Sequence, residues 1–178
     1  MAVNCLPPYE QGVDPAFTKR GRSGRVFGGE GVLADLKSNR ICIVYDGTKG
    51  YCQRFVRELA PLLEQRAFLV DTHSIEQGPL HTADYVGLIV GCPVLGLGMR
   101  HQAPGPKMTR YLSELSNLEG LPVGLFCVYA TRAGGVLGRM RSLLGRNGAE
   151  VVVEQAIWRG APGREAHVIP TECMVRMR

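Results

Sequence analysis

No apolar run in the 178 residues approaches the ~20 residues that cross a bilayer, so a membrane span is not expected. Met1 to Phe17 lacks a basic region followed by an apolar one, which argues against a secretory signal. The six cysteines (Cys5, Cys42, Cys52, Cys92, Cys127 and Cys173) include no CxxC pair, and no histidine stands at metal-ligand spacing from them. No metal site is expected, and the pattern reads as reduced thiols in a cytoplasmic compartment, with an organellar matrix left open. Acidic residues are missing from two long stretches, Tyr85 to Ser113 and Gly120 to Ala149, which carry Arg100, Lys107, Arg110, Arg132, Arg139, Arg141 and Arg146. With a net charge of +5, this distribution suits an acidic partner or an anionic ligand. Nucleic acid is not expected, because no RNA-binding motif interleaves these arginines with exposed aromatics.

What is present is the composition of one globular domain: 45% apolar and 21% charged residues, in a chain too short for two ordinary cores. Residues 1–40 are rich in glycine, proline and isolated charges and form an N-terminal extension, in which only Gly31 to Lys37 has the spacing of a short helix. Over 41–160, short apolar runs alternate with segments of helical period, as in βαβ units around a parallel sheet. Strands are predicted at Ile41–Tyr45, Ala67–Val70, Tyr85–Val90, Val123–Val128 and Glu150–Ile157. Helices are predicted over Tyr51–Gln65, where Pro61 should kink or interrupt the stripe, over Pro106–Asn117, and over Gly135–Leu144. The polar stretch from Val70 to Tyr85 has room for a short helical turn near Leu80. Residues 161–178 contain Pro162, Gly163 and Pro170 and no helical stripe, and are read as an irregular tail.

Right-handed crossovers make this an α/β fold with an open, doubly wound, five-stranded parallel sheet. Such sheets bind ligands at the carboxyl ends of their strands, where the winding reverses. The loops there are Asp46 to Cys52, Gly91 to Gly105 and Tyr129 to Gly135. The first can cradle a phosphate: its glycines let amides converge, the helix that follows adds partial positive charge, and Thr48 and Lys49 add a hydroxyl and a cation. The same glycines would also serve a plain strand-to-helix turn. The second loop is apolar where it leaves the sheet, so it covers a planar ligand, a protein partner or the domain itself. Cys42 and Cys127 read as core residues, whereas the thiolate of Cys52 is expected to be favoured by the helix dipole and Lys49.

Taken together, the three loops make residues 41–160 resemble the flavodoxin-like family. The resemblance rests on GTKG between a strand and a helix, on GCPVLGLG after the third strand, and on LFCVYATRAGG before another helix. It implies the strand order 2-1-3-4-5 and flavin mononucleotide (FMN) as cofactor. The phosphate would lie on Gly47, Thr48, Lys49, Gly50, Tyr51 and Cys52. The ring would lie between Pro93, Val94, Leu95 and Gly96 on one side and Tyr129, Ala130, Thr131, Arg132, Gly134 and Gly135 on the other. Gly47, Lys49 and Cys52 occupy positions where the family has hydroxyls, and Leu95 stands where an aromatic would stack. Tyr129 is the expected stacking residue, and Trp158 is expected to lie away from the ring.

The implied function is electron transfer to or from a redox partner protein of acidic character, with no acid-base catalytic residue required. Arg100, Lys107, Arg132 and Arg139 near the ring would make its reduction potential less negative. His101 is the one histidine on a predicted site loop. Two alternatives share these residues: a flavin-free accessory subunit that uses the fold for protein-protein interaction, and an FMN-dependent quinone or porphyrinogen-type reductase. The family's last helix is missing from the sequence, which would leave one flank of the sheet to be covered by the N-terminal extension, a homodimer partner or another subunit.

Overall fold

Consecutive apolar residues such as Ile41 to Val44 and Leu88 to Val90 can all be buried only in a strand covered on both faces. The computed structural model, which describes residues 39–95, 102–166 and 169, buries every one of them. Five parallel strands, β1 (Arg40–Tyr45), β2 (Leu69–Ser74), β3 (Gly87–Pro93), β4 (Pro122–Tyr129) and β5 (Glu150–Trp158), pair in the expected order β2-β1-β3-β4-β5. Among the described residues, the helices α1 (Tyr51–Glu64), α2 (Pro106–Glu114), α3 (Val136–Arg146) and α4 (Pro162–Glu165) connect or follow them.

The two sheet faces bury different chemistry. Phe55, Leu59 and Leu63 of α1 pack on Ile41, Ile43, Ile89 and Phe126, with the Phe55 and Phe126 rings 4.8 Å apart. On the opposite face, Met108 and Leu112 of α2 and Met140 and Leu144 of α3 cover Cys42, Val44, Leu88, Cys92 and Cys127. Cys42, Cys52, Cys92 and Cys127 are free thiols, all buried.

Local physics moved several boundaries. β2 starts at Leu69 rather than Ala67, because Ala67 takes a left-handed φ of 65° and the amides of Arg66, Ala67 and Phe68 close the end of α1. It then runs through polar Asp71 to Ser74, as an edge strand exposed along one side can. β3 continues through Gly91 to Pro93 because Gly91 is a packing residue, and any Cβ there would overlap the Phe126 ring. Pro61 does not interrupt α1, which continues to Glu64; so close to the helix end, the missing donor affects only the last turn. The β2–β3 connection forms two 3-10 turns, Ile75–Gln77 and Thr82–Asp84, on either side of Leu80 rather than a turn at Leu80. Ser74 and Gln77 cap the first in a reciprocal box.

A full-length final helix is not found among the described residues, but the flank it would cover is not bare. Ala166, at the end of α4, and Ile169 are fully buried in the core that α1 also covers. The segment Gly31 to Lys37 lies outside the described residues, as do Gly96, Arg100 and His101.

Candidate functional site

The winding reverses between β1 and β3, and the loops that leave their carboxyl ends meet there. Asp46 continues the ladder by donating its amide to Gly91 O at 3.0 Å, and Val94 does the same to Val128 O at 2.9 Å. Asp46 is 3% exposed, and its Oδ1 accepts the Thr48 amide at 2.9 Å. The Gly50 amide donates to Gly47 O at 3.0 Å, and Gly50, at φ 70°, turns the chain into α1 in a conformation that favours glycine. Among the described residues no side chain caps α1, and no acid sits in its first turn, which leaves the amides of Tyr51, Cys52 and Gln53 as donors at a positive helix end.

Beside this helix end lies a cavity of about 230 Å³. Its walls are Lys49 and Tyr51 from the first loop, Pro93, Val94 and Leu95 from the second, Tyr129 and Ala130 from the third, and Arg159 after β5. Arg159 is fixed from two sides: its amide donates to Tyr129 O at 2.9 Å, and its guanidinium lies 5.6 Å over the Tyr51 ring with Nη1 3.4 Å from the Tyr51 hydroxyl. No carboxylate belongs to the wall among the described residues. Two cations, two tyrosines and an apolar side make a place for a planar, anionic ligand.

Seven of the sixteen expected residues line this cavity: Lys49, Tyr51, Pro93, Val94, Leu95, Tyr129 and Ala130. Cys52 turns its side chain into the core, 1% exposed, so it offers the loop only its amide. Burial pushes its thiol well up, with Cys92 and Asp46 adding to the rise, which overturns the expected thiolate. Thr131 and Arg132 stand exposed beyond the cavity wall. Gly134, at φ 56°, packs so closely on Gln102 that a Cβ would overlap that side chain. Gly135 starts α3 and lines a separate groove between α2 and α3. Lys107 and Arg139 do not line the cavity: Lys107 pairs with Glu76 at 3.6 Å, and Arg139 borders the α2–α3 groove.

One contributor was missed: Arg159 completes the cavity. The signal available was position, since it follows an apolar strand at its carboxyl end, the edge where such sheets bind ligands. Trp158, the last residue of β5, is not on the cavity wall and donates its indole N–H to Ala130 O at 3.3 Å.

A larger cavity, about 720 Å³, lies elsewhere, between the β2–β3 connection and α2, with Ile75, Leu80, His81, Lys107, Arg110 and Tyr111 among its walls.

No protein-family model matches the sequence, and comparison with curated proteins gives no match. Solved structures do match. Flavodoxin 1 from Bacillus cereus superposes with a TM-score of 0.64 at 13% identity, over 77% of this chain and 98% of that one. The fold is flavodoxin-like. A flavodoxin from Fusobacterium nucleatum bound to flavin mononucleotide gives 0.63 at 15% identity, over 78% and 99% of the two chains. The flavodoxin from Megasphaera elsdenii, in its two-electron reduced form, gives 0.62 at 17% identity, over 74% and 98%.

Proposed function

We propose that the chain binds flavin mononucleotide at the carboxyl edge of its sheet and passes electrons between it and a protein partner. The observation that carries this reading is the convergence of Lys49, Tyr51, Tyr129 and Arg159 on one cavity, free of carboxylates among the described residues, at the winding reversal of a flavodoxin-like sheet. Lys49 and the first-turn amides of α1 would hold the phosphate. Tyr129 and Pro93 to Leu95 would flank the ring, with Arg159 steadying Tyr51 beside it. The flavin supplies reversible one- and two-electron transfer, and these residues bind it, orient it and set its electrostatic surroundings. Lys49 and Arg159, rather than Lys107 and Arg139, are the cations placed to make its potential less negative. A reducing, cytoplasmic compartment suits the four buried free thiols.

Titration of FMN with the purified protein, followed by quenching of flavin fluorescence, tests the reading. Saturable quenching that Lys49→Ala and Tyr129→Ala each weaken is the expected result; unchanged affinity in both variants contradicts the site.

A second reading, a flavin-free accessory subunit, is favoured by Asp46. Its carboxylate already occupies the Thr48 amide, and it places a negative charge beside the proposed phosphate loop. The cavity is also below the ~300 Å³ at which whole-ligand sites begin. Absence of FMN binding in the titration selects this second reading.

A further inference from the structure

We propose that the groove between α2 and α3 docks an acidic helix of a partner protein next to the candidate flavin cavity. The groove has a volume of about 460 Å³; Gly138, Ser142 and Leu143 of α3 face Ala103 and Pro104 ahead of α2, and Arg139 and Arg146 border it. Its two walls are tied together at one end, where Asn147 Nδ2 donates to Leu112 O and Leu115 O at 3.0 Å each. At the other end Leu95 and Ala103 exchange backbone hydrogen bonds of 3.3 Å. Leu95 also belongs to the flavin cavity wall, so groove and cavity adjoin.

Gly138 leaves the floor of the groove open. Among the described residues a Cβ there would meet nothing within 4 Å, and its φ is not positive. A second backbone lying in the groove would approach α3 closely at this position, and a large side chain there would block it.

Charge identifies the occupant. Arg139 and Arg146 are seven residues apart on α3, which sets them on one face roughly 10 Å apart along the axis. No carboxylate lines the groove among the described residues. Nearby acids are engaged elsewhere: Glu114 with Arg110 at 2.7 Å, Glu154 with Arg141 at 2.6 Å and Glu76 with Lys107. A helix with carboxylates two turns apart and a small apolar face between them matches both the cations and the floor. Nucleic acid matches less well, since no aromatic lines the groove for bases to stack on. That the partner exchanges electrons rests on the function proposed above; the docking does not.

The test uses the full chain and a synthetic acidic helical peptide of about 15 residues, its glutamates seven apart around an alanine and leucine face. Binding is read by fluorescence anisotropy with and without FMN. Saturable binding is expected, weakened about tenfold or more by Arg139→Glu/Arg146→Glu and by raising salt from ~0.05 to ~0.3 M. Gly138→Leu should cost a similar factor while the thermal midpoint holds or rises, so that loss of binding cannot be assigned to unfolding. No binding of the peptide, or binding unchanged in these variants, overturns the proposal. Tighter binding of a single-stranded oligonucleotide of equal charge overturns it in favour of nucleic acid. Peptide binding as expected in a protein that fails to bind FMN upholds the docking and removes the electron-transfer role.

Discussion

One cavity, about 720 Å³, sits beside the β2–β3 connection; a smaller one, about 230 Å³, sits at the carboxyl edge of the sheet. Size favours the first and chemistry the second. The large cavity lies between the β2–β3 connection, with its two 3-10 turns, and α2, and its cations already have acidic partners, Glu76 for Lys107 and Glu114 for Arg110. The small cavity lies at a helix N-terminus and keeps Lys49 and Arg159 on a wall with no carboxylate among the described residues. Volume records where the chain left space, whereas convergent charge and unpaired amides record where a ligand would gain binding energy.

The difference is broken most directly by removing charge from each cavity in turn. Lys49→Ala/Arg159→Ala is expected to weaken FMN by about 100-fold or more, since hydrogen bonds to charged groups contribute about 1.5–3 kcal/mol each. Lys107→Ala/Arg110→Ala should leave the affinity unchanged by calorimetry, and equal losses would erase the distinction. Next in size, Gly91→Ala drives a Cβ into the Phe126 ring and should cost about 1–3 kcal/mol in urea unfolding. It should also weaken FMN, because β3 carries Pro93 into the small cavity.

A third effect belongs to the sheet face beneath the large cavity. Burial pushes the thiols of Cys42 and Cys127 up to about 12. Raised values mean that the folded state holds its protons longer, so stability is complete below the unfolded thiol value, near pH 8.5, and falls as pH rises toward 12. The slope is at most about 1.4 kcal/mol per pH unit for each thiol. Unfolding free energies measured across that range should decline, and Cys42→Ala should flatten the decline. Smallest of all, the buried Tyr111 hydroxyl has no hydrogen-bond partner among the described residues, so Tyr111→Phe should stabilise the fold by about 1 kcal/mol and leave FMN binding untouched.

Elements with a one-sided pattern were legible in the sequence. Phe55, Leu59 and Leu63 marked α1, continuous apolar runs marked β1, β3 and β4, their alternation marked a parallel α/β sheet, and the strand order followed from the resemblance. β2 was displaced because an edge strand needs no apolar run: Asp71 to Ser74 pair in register with Cys42 to Tyr45 although their side chains are polar. Gly91 looked like a loop residue because a sequence does not show the ring it packs against. Within the site, Lys49, Tyr51, Pro93, Val94, Leu95 and Tyr129 were legible from loop position. Arg159 was not, since it reaches the cavity only through the β4–β5 pairing that sets Trp158 beside Tyr129. Cys52 was misjudged because its place in the first turn indicated the dipole, while its inward orientation, which sets its proton affinity, depends on the packing of α1.

The most direct test of the central claim is an amide nuclear magnetic resonance titration of the full chain with FMN. The account predicts saturable shifts at residues 47–53, 93–95, 129–130 and 159. Shifts confined to the walls of the larger cavity, at residues 75–81 and 107–116, would contradict it.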